Sequence, residues 1–334
     1  MTPGRVIAEH KQLYTVQTIH GELLAEVTGK FRFAATGREH YPAVGDWVVL
    51  TARPDDGRGT IHAILPRKSK FSRKQAGAVS DEQIAAVNVD TVFLVAALNY
   101  DFNLRRLERY LIAAWESGAQ PVIVLSKADL CDDPALYAAE TEGIAPGVPV
   151  HAVSVVTGQG MEELRAYLLP GHTLTLLGSS GAGKSSLTNY LAGKEIMATQ
   201  GIREDDSRGR HTTTHRELIP LEGDAMIIDT PGMRELQLVS ADEGFGEAFS
   251  DIEELADSCR FGDCTHRKEP GCAVRAALQG GTLEQARYDS YRKLEAELAF
   301  ITRREQQRQR MLEKGSRKQT GTSRMQVRDA QQDD

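Results

Sequence analysis

No stretch of this 334-residue chain approaches the ~20 consecutive apolar residues that a membrane-spanning helix needs, which excludes an integral helical membrane protein. The opening MTPGRVIAEHKQLYTV lacks the apolar run of a secretory signal, so a cytoplasmic location and no membrane partner are expected. Cysteine is scarce. Of the four present, Cys259, Cys264 and Cys272 crowd one short segment beside His266, while Cys131 stands alone. That usage excludes a disulfide-stapled secreted scaffold and, in a reducing compartment, favours a metal at the cluster. An excess of positive charge is also missing: a net charge of −7 excludes a uniformly basic nucleic-acid binder.

Basic charge is instead concentrated. The run RKSKFSRK, Arg67 to Lys74, carries five positive charges and no negative ones, and residues 301–334 hold nine Lys/Arg against five Asp/Glu. Two basic patches on an acidic body suggest particular faces that meet phosphate. With 40% hydrophobic residues, the chain is long enough for two or three folded domains.

Residues 1–74 read as short β segments, LYTVQTI, ELLAEVTG, KFRFAAT, DWVVLTA and GTIHAIL, separated by turn signals, and predict a small all-β barrel of the OB-fold type. Such barrels often bind RNA, and the adjoining RKSKFSRK run favours that use here. Residues 75–238 change to apolar strands alternating with amphipathic helices, an α/β domain with a parallel sheet. VDTVFLVAAL, QPVIVLS, VPVHAVSV, HTLTLLG and DAMIIDT are its candidate strands. Residues 239–300 predict a mainly α metal-binding domain, and residues 301–334 a basic tail, helical and then frayed.

GSSGAGKS, from Gly178 through Ser179, Ser180, Gly181, Ala182, Gly183 and Lys184 to Ser185, matches G-x-x-x-x-G-K-[ST] between a strand and a helix. Its glycines let backbone N–H groups surround a β-phosphate at a helix N-terminus, where Ser186 follows. Lys184 is positioned to reach the β- and γ-phosphates, and Ser185 to ligate Mg²⁺. SKAD, Ser126 to Asp129, ends the strand PVIVL. The Asp129 carboxylate can accept from guanine N1–H and the C2 amine, which adenine does not offer, and the stem of Lys127 can lie along the base. Ser126 stands where GTPases usually carry asparagine, which predicts one weakened side-chain hydrogen bond, to the loops or to the base. SVVTGQG, with Ser154 and Val155, resembles the last guanine-binding box.

Asp229 in DTPG can hold Mg²⁺ through a water, and the Gly232 N–H can bind a γ-phosphate. RGRHTTTHREL between the two boxes is a switch loop. Thr212, Thr213 and Thr214 are all candidates to reach Mg²⁺, with Thr213 chosen. Met233 replaces the glutamine that would orient an attacking water, so slow unassisted turnover is expected, with His211 or a partner supplying that role. Cys259, Cys264, His266 and Cys272, spaced x4, x1 and x5, form a Cys₃His set suited to tetrahedral Zn²⁺ with no open position.

Taken in this order, SKAD, SVVTG, GSSGAGKS, GRHTTT, DTPG and the Cys₃His set resemble the circularly permuted GTPases known as ribosome small-subunit-dependent GTPase A (RsgA, also YjeQ). The resemblance covers nearly the whole chain. It implies an OB-fold, a permuted GTPase domain and a zinc domain. It also implies GTP hydrolysis that times release from the small ribosomal subunit, stimulation by that subunit, contact with its rRNA, and one zinc per chain. Nothing in the sequence calls for more than a monomer. The competing reading is an RNA-binding scaffold that holds GTP with negligible turnover, which Met233 keeps open.

Overall fold

The computed structural model describes residues 1–10, 12–74, 82–197, 216–229, 242–303, 306–307 and 310. They fall into two compact units, Met1–Glu253 and Glu254–Asp334.

The first unit begins with a barrel of β1 (Thr2–His10), β2 (Leu13–Thr18), β3 (Gly21–Val27), β4 (Trp47–Arg53) and β5 (Arg58–Ile64). The strand order is β1-β2-β3-β5-β4, and pairing of β1 with β4 closes it. Alternate residues point inward, so Val6, Val16, Leu23, Ala25, Val48, Leu50 and Ile61 fill the centre with Tyr14. Only β3 and β5 run parallel, as an OB-type barrel requires. One expected strand is corrected: KFRFAAT is a short helix, α1 (Gly29–Ala34). Thr28 starts it, because its hydroxyl accepts the Phe31 N–H and turns the backbone out of the strand. Phe31 packs on the barrel core while Phe33 is 94% exposed, so the apparent alternation is two faces of a helix. The fifth strand is β1, whose Pro3 and Gly4 disguise it in the sequence.

A two-stranded hairpin, β6 (Lys70–Lys74) and β7 (Glu82–Val87), leads into the α/β layer. Here β8 (Thr91–Ala97), β9 (Gln120–Ser126), β10 (Val150–Ala152), β11 (Thr173–Gly178) and β13 (Met226–Asp229) are parallel in the order β10-β9-β8-β11-β13. β12 (Glu217–Pro220) runs antiparallel on β13, and β1 of the barrel pairs antiparallel with β12 at Ala8 and Glu217. The central strands β8 and β9 are nearly continuous apolar runs because both faces are covered. The helices are α2 (Leu104–Ser117), α3 (Pro134–Ile144), α4 (Met161–Arg165), α5 (Lys184–Leu191), α6 (Asp242–Ala248), α7 (Ser250–Asp257) and α8 (Ala273–Gly280).

A buried arginine joins barrel and sheet, and a half-buried one braces the barrel itself. Arg5 of β1 donates to the Thr173 hydroxyl at 2.6 Å and to the carbonyls of Asn88 and Gly45, so the start of the phosphate-loop strand hangs on the barrel. Arg67 does not extend the basic surface that RKSKFSRK suggested. It turns inward to a bidentate pair with the fully buried Asp46, at 2.8 and 2.7 Å, and donates to the carbonyls of Glu39 and Tyr41. A buried carboxylate needs such a partner, which overrides the tendency of arginine to stay in water. Lys68 and Lys70 remain exposed.

α6 packs on α2 through Gly244, where an added Cβ would lie 2.4 Å from the Ile112 carbonyl and 2.7 Å from the Glu116 nitrogen. Gly244→Ala therefore has to push the helices apart. We expect a loss of about 1–3 kcal/mol, read as a lower urea midpoint at unchanged m-value.

In the second unit, α8 starts at Cys272, whose sulfur accepts the Arg275 N–H. A following helix, α9, spans residues 285–303 and buries Arg287, Tyr291, Leu294 and Leu298. Tyr291, Leu294 and Leu298 make one apolar stripe, with Arg287 buried a turn before it. The remaining tail, residues 311–334, lies outside the described residues.

Candidate functional site

The carboxyl ends of the parallel strands converge on one edge of the sheet, where open α/β sheets bind ligands. β11 ends at Gly178 because the chain passes so close to β8 that a Cβ there would sit 2.3 Å from the Val95 carbonyl. The loop Ser179–Gly183 then curls back, with Gly183 left-handed at φ 89°, and α5 starts at Lys184. Lys184 Nζ donates to the carbonyls of Gly178 and Ser179 at 2.8 and 2.6 Å, so the loop is wrapped around its own ammonium. Ser185 and Ser186 follow in the first turn, half-buried. A glycine-rich turn at a helix N-terminus with a fixed cation beside it is the arrangement that binds phosphate through backbone N–H groups.

The base loop is built from β9 and β10. Ser126 is buried and donates from Oγ to the Ala182 carbonyl at 2.6 Å, which makes the contact between the two loops. Lys127 takes a left-handed conformation, φ 60° and ψ 38°, which turns the chain sharply after the strand. Asp129 is exposed, and its Oδ1 accepts the Ser154 hydroxyl at 2.5 Å. Ser154 in turn accepts the Thr157 N–H, while Val155 is half-buried against the sheet core. The carboxylate is thereby aimed while its other oxygen stays open to solvent. Asp229 ends β13, two strands from β8 and next to β11. His211, Thr212, Thr213, Thr214, Gly232 and Met233 lie outside the described residues.

Sequence reasoning missed one residue beside the cradle and another further along α5. Asp101, in the loop after β8, accepts the Ser179 hydroxyl at 3.0 Å and forms a bidentate pair with Arg106 at 2.7 and 3.1 Å. The hydrogen bond from Arg106 holds the Asp101 carboxyl below its usual range. A carboxylate this near a phosphate site would repel its ligand, and the guanidinium offsets that charge. Asn189 of α5 accepts the N–H groups of Ile196 and Met197 and donates to the Met197 carbonyl, fixing the root of the segment that leads to the switch loop. An Asn-Tyr-Asp-Phe-Asn turn with two arginines in the first turn of the helix that follows was the available signal for Asp101, since Asn103 caps α2.

In the second unit, one ligand atom from each of Cys259, Cys264, His266 and Cys272 lies within 4.8 Å of the others. Cys259 and Cys272 sulfurs are 3.9 Å apart, and each is 3.6 or 3.5 Å from His266 Nδ1. Tetrahedral zinc with ~2.3 Å bonds to sulfur puts ligand atoms about 3.8 Å apart, so the cluster fits that ion. Glu269 shapes the loop between the ligands: its carboxylate accepts from the Thr265 hydroxyl and from the N–H groups of Thr265, Arg267 and Lys268. Those bonds, the hydroxyl first, pull its carboxyl down to about 2. A depressed carboxylate pKa adds order above the ordinary glutamate value and loses it as pH falls toward 2, so the loop is fully braced at neutral pH. Glu269→Ala is expected to speed metal loss to a chromogenic chelator roughly tenfold at pH 7.

Parallel strands that deliver a phosphate loop, with the guanine-type carboxylate loop earlier in the chain than that loop, define a circularly permuted P-loop GTPase. A family model described as RsgA GTPase matches residues 64–239, more than half of the chain. The chain belongs to the RsgA GTPase family. It is 51% identical over 299 residues to "Small ribosomal subunit biogenesis GTPase RsgA 2" of Lactiplantibacillus plantarum, covering 89% of this chain and 83% of that protein. It is 49% identical over 311 residues to "Small ribosomal subunit biogenesis GTPase RsgA" of Opitutus terrae, covering 90% and 85%. Among solved structures, YjeQ from Thermotoga maritima superposes with a TM-score of 0.66 at 31% identity over 89% of this chain and 98% of its own. YloQ, described as a circularly permuted GTPase, gives 0.65 at 28% identity over 90% and 95%. Among the described residues no helix is long and apolar enough to cross a membrane.

Proposed function

We propose that this GTPase acts in late maturation of the small (30S) ribosomal subunit, binding GTP and hydrolysing it to time its own release, with hydrolysis stimulated by that subunit. The observation that carries the reading is identity near one half, over most of the chain, to proteins named small ribosomal subunit biogenesis GTPases. The site supports the chemistry. Lys184 and the loop Gly178–Gly183 hold the phosphates, Asp129 with Ser154 reads guanine, and Lys127 lies along the base. Ser185, Thr213 and Asp229 would hold Mg²⁺, which would offset the charge of the phosphates. Gly232 senses the γ-phosphate and His211 orients the water that Met233 does not. Zn²⁺ is held by Cys259, Cys264, His266 and Cys272, and its role is to fix the shape of the second unit.

RNA contact falls to the barrel (1–74), where Lys68 and Lys70 stay exposed and Arg67 is committed to Asp46, and to the zinc-binding (239–300) and tail (301–334) segments. The GTPase segment is 75–238, and the protein works as a cytoplasmic monomer. Phosphate release measured alone, with purified small subunits and with large subunits tests the reading. Stimulation by small subunits is expected, and its absence at every subunit concentration favours a GTP-holding RNA scaffold instead.

A further inference from the structure

The turn after β8 is braced on several sides. Leu98 N–H donates to the Ser126 carbonyl at 2.8 Å, Asn99 Oδ1 accepts the Asp101 N–H at 3.0 Å, and the Phe102 ring packs edge-on against Tyr137 with centroids 5.0 Å apart. Asn103 then caps α2 by accepting the Arg106 N–H at 3.2 Å. Asp101 and Arg106 are therefore presented from a fixed frame.

One oxygen of that frame reaches the phosphate loop. Asp101 Oδ2 accepts both the Arg106 guanidinium at 2.7 Å and the Ser179 hydroxyl at 3.0 Å, while Oδ1 takes the second guanidinium bond at 3.1 Å. Ser179 is gripped twice, because its carbonyl also accepts Lys184 Nζ at 2.6 Å. A shift of Ser179 moves the carbonyl that aims the ammonium. The carboxylate that fixes this residue brings a negative charge beside a phosphate site, and Arg106 carries the compensating charge on the same oxygen. With side chains 43% and 35% exposed, the pair adds little to the stability of the fold. Its effect falls on the loop.

We infer that Asp101 is a positioning residue for the phosphate loop, acting on Lys184 through Ser179, and that Arg106 is the counter-charge that lets a carboxylate do this beside phosphate. The inference rests on the reading of Gly178–Ser185 as a nucleotide phosphate loop.

Displacement of a fluorescent GDP from the full chain with Mg²⁺, at low salt and at about 1 M, separates the two roles. Salt at ~1 M screens charges beyond about 3 Å and leaves the hydrogen bond. Relative to the unmodified protein at high salt, Asp101→Ala and Ser179→Ala should each weaken GDP roughly two- to tenfold. The double variant should lose no more than either, since both cut one contact. Asp101→Asn should keep its affinity, because an amide oxygen still accepts the Ser179 hydroxyl. Arg106→Gln should weaken GDP roughly three- to tenfold at low salt, recover at high salt, and be rescued at low salt by adding Asp101→Asn. A pair that only stabilised the fold would show neither the salt dependence nor the rescue.

Losses that add in the double variant overturn the inference, as does Asp101→Ala binding like the unmodified protein at high salt, or an Arg106→Gln effect indifferent to salt. Should Asp101→Ala not fold, Arg106→Gln and its rescue decide. Lys184→Ala binding GDP as tightly as the unmodified protein would instead defeat the phosphate-loop reading itself, so the two failures are told apart.

Discussion

Asp129→Asn should lower GDP affinity roughly a thousandfold and hand the advantage to xanthosine diphosphate. The reversal follows from the hydrogen-bond inventory. In the proposed reading the carboxylate accepts from both donors on the guanine edge, and in the structure it accepts the Ser154 hydroxyl at 2.5 Å. An asparagine amide has one oxygen and one NH₂. Ser154 can only donate to the oxygen while its own Oγ accepts the Thr157 N–H, so the oxygen turns to Ser154 and the NH₂ turns to the base. Two donors then oppose the guanine amine, whereas xanthine presents a carbonyl at that position. Displacement of a fluorescent GDP by each diphosphate measures the switch, and an unchanged preference would mean that the loop does not read the base.

Removing the metal should have a still larger effect, confined to the second unit. Structural zinc sites of this type contribute apparent free energies of about 10–16 kcal/mol, comparable to or above the whole stability of a small domain at about 5–15 kcal/mol. The cluster ties the segment before α8 to the helix itself, and Cys272 is at once a ligand and the N-cap acceptor of α8. Cys272→Ala therefore loses a ligand and a cap together. Hydrogen exchange should show α8 and α9 unprotected after chelation or in the variant, with GDP binding retained, since no nucleotide loop belongs to residues 254–334. Full protection after chelation would make the cluster a set of thiols without a structural ion.

What could be read from the sequence was what depends on neighbours in the chain. The phosphate loop and the Cys₃His set are legible because their geometry is set within a few residues, and β8, β9 and β11 because burial on both faces leaves an apolar run. α1 was hidden because alternation in KFRFAAT suits a strand and only the Thr28 cap decides otherwise. Long-range pairs were hidden altogether. Arg67 looks like a surface charge until Asp46, 21 residues away, is placed beneath it, and Asp101 meets Ser179 across 78 residues. The serine in SKAD was visible, but the carbonyl that takes its proton was not.

The pairing of β1 with β12 makes dissection of this protein hazardous. β12 is the last strand of the nucleotide-binding layer, and its outer edge is met at Glu217 by Ala8 of a strand that also closes the barrel. A fragment expressed from Lys70 onward would bare that edge, together with the Thr173 hydroxyl that Arg5 covers, and unpaired edges recruit other chains. Such a fragment should aggregate at concentrations where the full chain stays dispersed, measurable by light scattering. Binding or turnover assigned to a trimmed GTPase module would then report a solubility defect, and the smallest unit on which catalysis can be measured cleanly includes the N-terminal strand.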